Sequence, residues 1–253
     1  MSLAIDLSGR TAVVTGASRG IGQAICRTLA EAGADIVGVS SAGLPPESET
    51  ARQVTKTGRS FTSEACDFAS RDAVTALAEQ LAARQDISIL VNNAGTIRRA
   101  PAAEHPLADW DAVMAVNCDA PFILTQALGR SMLARGNGHI VFVASVLSFQ
   151  GGILVPGYAA SKGAVAQLVR AFANEWAAHG VNVNGVAPGY IATDNTEALQ
   201  KDAAREAALM ARVPAGRWGK PEEIARPVAF LCSDMARFIH GAILPADGGW
   251  LAR

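Results

Sequence analysis

Tyr158 and Lys162 stand four residues apart in the stretch Tyr158-Ala159-Ala160-Ser161-Lys162, and Ser145 precedes the pair by thirteen residues. A spacing of four puts two side chains on one face of a helix, about one turn apart. A free phenol titrates near ~10 and an alkylammonium near ~10.4, so neither alone is matched to acid–base work at neutral pH. A fixed positive charge beside the phenol favours the phenolate and draws its pKa down. Tyr158 would then serve as proton acceptor or donor for an alcohol or ketone. The same two residues also fit a core tyrosine beside a solvated lysine, so the pair gains its meaning from the elements that position it.

Those elements belong to a chain of 253 residues, half apolar and only 18% charged. That length and composition suit a large α/β domain with a sizeable core. A formal net charge of −1 argues against a general nucleic-acid or membrane-surface binder. The four cysteines, Cys26, Cys66, Cys118 and Cys232, are far apart with no CxxC pair, so neither a disulfide framework nor a metal site is expected. The first residues lack a basic region followed by a long apolar run, and no apolar stretch reads as a membrane span. A soluble, cytoplasmic protein is expected.

Taken in order, Thr11 to Thr15 reads as a buried strand, followed by Gly16-Ala17-Ser18-Arg19-Gly20-Ile21-Gly22 and an amphipathic helix to about Ala32. Strand, glycine turn and helix make a diphosphate cradle: glycines admit close backbone approach, and the helix start offers free N–H groups. The spacing G-x-x-x-G-x-G differs from the usual dinucleotide fingerprint, and a plain strand–helix turn would look similar. Ala34 to Ser40 is the second strand. A ribose 2′-hydroxyl is usually met there by an acid, but this chain has Ser40 and Ser41, with no carboxylate before Glu47. Arg19 could face a 2′-phosphate, so the residues lean slightly to NADP, although Arg19 would equally serve as a solvated cation.

A turn at Leu44-Pro45-Pro46 leads to a helix ending about Thr57, and Ser60 to Ala65 is a third strand ending at Asp67-Phe68. Asp67 could accept from an adenine amino group or cap the helix starting near Ser70. Ile87 to Val91 is a fourth strand leading to Asn92-Asn93-Ala94-Gly95, whose small residues would let backbone lie against a flat ring. Pro106 to about Arg135 reads as one long helix with Leu107, Trp110 and Met114 on a common face. Pro121 lacks the N–H that would meet the Asn117 carbonyl, so a kink and a free carbonyl able to hold an ordered water are expected. A kinked packing helix is the alternative.

His139 to Ala144 is a fifth strand that delivers Ser145 at its C-terminal end, where open α/β sheets bind ligands. The Tyr158 helix runs to about His179, Val181 to Val186 is a sixth strand, and Thr193 to Met210 is alanine-rich and helical, a lid over about 190–215. A helix follows Pro221, and Ala242 to Pro245 is a last short strand. Strands alternate with helices throughout, so residues 1–253 read as a single α/β domain, a doubly wound parallel sheet with helices on both faces.

Thr15-Gly16 through Gly20-Ile21-Gly22, Asn92-Asn93-Ala94-Gly95, Asn117, Ser145, Tyr158 to Lys162, Pro188-Gly189 and Asp247-Gly248-Gly249, in this order, resemble the short-chain dehydrogenase/reductase family across essentially the whole chain. The resemblance implies a Rossmann-type sheet of about seven strands, a nicotinamide dinucleotide, and a homotetramer built on the two long helices. It implies Asn117, Ser145, Tyr158 and Lys162 as the catalytic set. The cofactor would be held by Gly16, Ser18, Arg19, Gly20, Ile21, Gly22, Ser40, Asp67, Phe68, Asn93, Ala94, Gly95, Tyr158, Lys162, Pro188, Gly189, Ile191 and Thr193.

A narrower likeness, over Gly95 to Arg99, Leu147 to Gly152, Asn174 to Trp176, Ala187 to Thr193, Pro214 to Gly219 and Gly249 to Arg253, resembles the sugar-acid branch of that family. That branch implies NAD, where the residues themselves lean to NADP, and substrates that are carboxylates. Arg98 and Arg99 could grip one as a bidentate fork; each would also fit a solvated or intersubunit cation. Gln150, on the flexible loop after Ser145, and Arg217 are further substrate candidates. The expected reaction is hydride transfer at a secondary alcohol or ketone, C5 of a gluconate or 2-dehydro-3-deoxygluconate type acid, with Tyr158 handling the proton, Lys162 lowering its pKa and Ser145 holding the substrate oxygen. A carbonyl reductase for a β-ketoacyl thioester or steroid, and a non-catalytic dinucleotide sensor, are the alternatives.

Overall fold

The computed structural model describes residues 4–253, with the side chains of Asn195 and Ala198 excepted. Seven strands form one parallel sheet: β1 (Thr11–Thr15), β2 (Asp35–Ser40), β3 (Phe61–Ala65), β4 (Ile87–Asn92), β5 (Gly138–Val143), β6 (Val181–Pro188) and β7 (Ile243–Ala246). Their spatial order is β3-β2-β1-β4-β5-β6-β7, with every pairing parallel. The order reverses between β1 and β4, and at such a point the loops leaving neighbouring strands diverge and open a crevice at the strands' C-terminal ends.

The helices are α1 (Gly20–Glu31), α2 (Glu49–Thr55), α3 (Arg71–Ala82), α4 (Leu107–Met114), α5 (Ala120–Arg135), α6 (Pro156–Trp176), α7 (Glu197–Gln200), α8 (Ala203–Met210) and α9 (Pro221–Leu231). The two-residue period of a strand sends successive side chains to opposite faces. Val13 and Val14 accordingly enter different cores, as do Phe142 and Val143. One core joins the sheet to α3, α5 and α6; the other joins it to α1, α2 and α9. Because both faces are covered, the central strands are continuous apolar runs rather than alternating ones: β1 and β5 are buried at every position. Each large side chain enclosed in this way, such as Ile89 or Phe142, contributes about 1.5–3 kcal/mol.

The predicted helix over 106–135 forms, with one change. Instead of a kink, the residues Ala115–Asp119 make a turn of π-helix between α4 and α5, and the Ala120 N–H reaches back five residues to the Ala115 carbonyl. The wider turn lets Pro121 occupy the first turn of α5, where a missing N–H costs little. The continuous run Leu107–Arg135, 29 residues, is long and apolar enough to cross a membrane by length and composition, contrary to expectation. Half of its most apolar window is buried inside the fold, as in a core helix. The single helix expected over 193–210 is broken into a 3-10 turn (Asp194–Thr196), α7 and α8.

Candidate active site

β5 ends at Val143 and the chain continues extended to Ser145, which is buried and whose hydroxyl accepts the Leu147 N–H at 3.1 Å. The 3-10 turn Val146–Ser148 then folds back, and the Ser148 hydroxyl donates to the Lys162 carbonyl at 2.7 Å, tying this loop to α6. Pro156 occupies the first turn of α6, where its fixed φ suits helix initiation. The next turns carry Tyr158 and Lys162 on one face, with the Lys162 ammonium 5.6 Å from the centre of the Tyr158 ring.

The electrostatics differ from the sequence expectation. Burial pushes the Tyr158 phenol above its ordinary value, and hydrogen bonding to Ser145 and the charge of Arg99 draw it only partly back. Lys162 lies beside the ring but is engaged elsewhere. Its ammonium is buried and donates to the Val143 carbonyl at 2.7 Å, and burial brings its own pKa down to about 8. The amine is turned towards the end of β5, and the arginine whose charge acts on the phenol is Arg99. With these neighbours Tyr158 is a protonated acid at neutral pH.

Asn117 is buried within the π turn and held there by its side chain. Its Oδ1 accepts from the Thr96 N–H at 2.8 Å, and its Nδ2 donates to the Thr96 carbonyl at 2.9 Å and to the Ser161 hydroxyl at 3.0 Å. Ser161 in turn donates to the Tyr158 carbonyl at 2.8 Å. Sequence reasoning missed Ser161, Thr96 and Ser148. Ser161 stood inside the Tyr–Lys stretch, one residue before Lys162, the only signal that could have drawn notice.

Across the crevice, α1 starts without a side-chain cap and without an acid in its first turn, so its leading N–H groups are free to meet an anion. The glycine loop before it requires glycine: a Cβ at Gly22 would lie 2.0 Å from the Gly16 carbonyl oxygen. Asn93 braces this loop, its amide donating to the Thr15 carbonyl at 2.9 Å and the Gly16 carbonyl at 3.3 Å. The Thr15 hydroxyl accepts the N–H groups of Asn93 and Ala94 at 2.9 Å each. The Asn93 side chain is therefore a brace of the glycine loop. Gly95 runs close over Lys162: a Cβ there would be 3.9 Å from the ammonium.

Ser40 is buried at the end of β2. Asp67 accepts the Ala69 N–H at 2.9 Å and does not cap α3, a role taken by Ser70. The Phe68 side chain sits in the core, so only its backbone is open to a ligand. Pro188 closes β6, and the Gly189 N–H bonds the Ala246 carbonyl. Ile191 is buried, and Thr193 leads into the 3-10 turn Asp194–Thr196, its methyl facing Gly20.

The substrate candidates separate. Arg99 is the one whose charge reaches the Tyr158 phenol. Arg98 turns to Asp109, 3.6 Å away. Gln150 is half-buried in the loop beyond Ser145. Arg217 forms a two-pronged pair with Glu223 at 2.7 and 2.8 Å and lines, with Tyr190 and Asp247, a cavity of about 320 Å³ that neither Ser145 nor Tyr158 lines. A neighbouring carboxylate satisfies that guanidinium more cheaply than a distant substrate could.

A family model described as enoyl-(acyl carrier protein) reductase matches residues 16–251. The 2-dehydro-3-deoxy-D-gluconate 5-dehydrogenase of Pseudoalteromonas atlantica (strain T6c / ATCC BAA-1087) is 54% identical over 249 residues, covering 98% of both chains. An Agrobacterium tumefaciens protein described as a candidate 2-deoxy-D-gluconate 3-dehydrogenase, solved with bound NADP, is 50% identical with a TM-score of 0.93, covering 100% of both chains. A gluconate 5-dehydrogenase from Burkholderia cenocepacia J2315, solved with NADP and tartrate, is 40% identical with a TM-score of 0.91, covering 98% of both.

Proposed function

This chain belongs to the short-chain dehydrogenase/reductase family, and we propose that within it the protein is an NADP-using oxidoreductase acting at C5 of a sugar acid of the 2-dehydro-3-deoxygluconate or gluconate type. The observation that carries this reading is the grouping of Ser145, Tyr158 and Lys162 at the end of β5 with the Arg99 charge felt at the phenol. Full-length likeness to sugar-acid dehydrogenases supports the substrate class, and structures of relatives with NADP support the phosphorylated cofactor.

When bound, the dinucleotide supplies the hydride chemistry. The uncapped start of α1, with Gly16, Ser18, Arg19, Gly20, Ile21 and Gly22, suits its diphosphate. Ser40, Asp67 and the Phe68 backbone would meet the adenosine end. Asn93, Ala94 and Gly95 on one side, and Pro188, Gly189, Ile191 and Thr193 on the other, would enclose the remainder. Ser145 would hydrogen-bond the substrate oxygen; Tyr158 gives a proton to a carbonyl oxygen in reduction and takes one from the hydroxyl in oxidation. Lys162 carries positive charge beside it and would turn from the Val143 carbonyl towards a ribose. The Asn117 carbonyl would hold a water on the proton path. Residues about 190–215 would act as lid. A cytoplasmic homotetramer completes the reading, supported by Leu107, Trp110 and Phe122, apolar yet exposed on α4 and α5.

The test is a panel of hexonates, 3-deoxy-2-ketohexonates and matched uncharged polyols with NADP⁺ and NAD⁺, followed at 340 nm, for wild type and Arg99→Ala. A charged hydrogen bond of ~1.5–3 kcal/mol predicts a KM for the acids raised about tenfold or more by Arg99→Ala, with polyols unaffected. Turnover of β-ketoacyl thioesters or steroids without any sugar acid would overturn the substrate assignment.

A further inference from the structure

Arg19 and Asp194 are 175 residues apart and form an ion pair, Nη1 to Oδ2, at 2.9 Å. Arg19 immediately precedes α1 in the glycine loop, and Asp194 opens the 3-10 turn after Thr193. The two segments already meet there: the Thr193 methyl lies 3.4 Å from the position a Cβ on Gly20 would take. The pair thus links the glycine loop after β1 to the 3-10 turn that follows β6.

Resting on the dinucleotide reading above, we infer that Asp194 is a cofactor-selectivity residue, its carboxylate competing with the 2′-phosphate of a phosphorylated dinucleotide for the Arg19 guanidinium. A guanidinium recognises carboxylate and phosphate alike; here Nη1 alone meets Asp194, and a phosphate that draws the Arg19 head group to itself breaks that contact. A phosphomonoester carries about −1.5 to −2 near neutral pH and outbids a single carboxylate. Ser40 and Ser41, at the end of β2, bring no charge to either side of that contest. The pair is two-thirds exposed at both ends, 67% and 65%, so it is weak and exchangeable rather than a fixed strut. A dinucleotide without the 2′-phosphate offers no rival anion and leaves the pair in place. Asp194 therefore weakens the phosphorylated form selectively, by occupying its cation.

Isothermal titration of the full-length protein with NADP⁺ and with NAD⁺, at low ionic strength, reads binding without turnover. We expect Asp194→Asn to tighten NADP⁺ about three- to fivefold, the scale of an exposed ion pair, and to leave NAD⁺ within about twofold. The gain should vanish in an Arg19→Gln background and shrink as salt rises. Equal changes for both dinucleotides, an unchanged or weaker NADP⁺, or a gain that survives loss of Arg19 would each overturn the inference. If the wild type bound neither dinucleotide, the cofactor reading would fall and this inference with it; tight binding with a silent Asp194→Asn would remove the inference alone.

Discussion

Asn117 and Ser161, 44 residues apart in sequence, meet inside the protein, the asparagine amide donating to the serine hydroxyl at 3.0 Å. Through this bond the loop that carries Arg98 and Arg99 is joined to the helix that carries Tyr158. Asn117 grips both backbone groups of Thr96 on one side, and Ser161 reaches the Tyr158 carbonyl on the other. Asn117 and Ser161 are almost wholly buried, so a partner left unmade costs ~1–3 kcal/mol.

Ser161→Ala removes both of the serine's hydrogen bonds. A stability loss of ~1–2 kcal/mol is expected, read as a shift in the urea midpoint at constant slope. Because the arginine-bearing wall is then free to move against Tyr158, the KM for substrate should rise while the dinucleotide dissociation constant stays fixed. Ser161→Thr keeps the hydroxyl and should recover most of the KM. Parallel changes in both constants would reduce Ser161 to ordinary packing.

Tyr158→Phe keeps the ring and deletes the proton. Turnover should fall by ~10²-fold or more, the scale of lost general acid–base catalysis, with dinucleotide affinity retained by titration. A variant that turned over at near wild-type rate would remove the proton-transfer role.

Lys162 gives a pH test. Its folded pKa of about 8 lies below the ordinary 10.5, so between these values the unfolded chain binds the proton and the folded protein has shed it. Stability from this group therefore rises with pH across that window, and the full burial penalty applies below about 8. An anionic dinucleotide bound beside the amine should raise its pKa again. Calorimetry in buffers of different ionisation enthalpy should show proton uptake of up to one at pH 9 and almost none at pH 7. Lys162→Met should abolish the uptake.

His139, buried at the start of β5, has its pKa lowered to about 4, chiefly by burial and then by the Arg10 charge, against the opposing pull of Asp234. A depressed histidine pKa means that the unfolded chain binds the proton first as pH falls. Stability should thus decline from pH 6.5 to about 4, by on the order of 3 kcal/mol, and not further from this group below that. Urea midpoints for wild type and His139→Gln across pH 4 to 7 should converge at the acid end.

The sheet and its helices were legible because they rest on short-range rules. Apolar runs such as Thr11 to Thr15, the glycine loop before α1 and the alternation of strand with helix are each set by backbone sterics and by which faces must be buried. The i,i+4 spacing of Tyr158 and Lys162, and the strand end that delivers Ser145, follow from the same rules. The partner of each long polar side chain was not legible. Arg98 is spent on Asp109, Arg217 on Glu223, Arg19 on Asp194 and Lys162 on the Val143 carbonyl, leaving Arg99 as the arginine that acts on the phenol. Local sequence determines which face of an element a residue occupies. A flexible cation, however, takes whichever anion or carbonyl the fold brings within hydrogen-bond or ion-pair reach of it, and only the tertiary structure, by setting distant segments side by side, decides which that is.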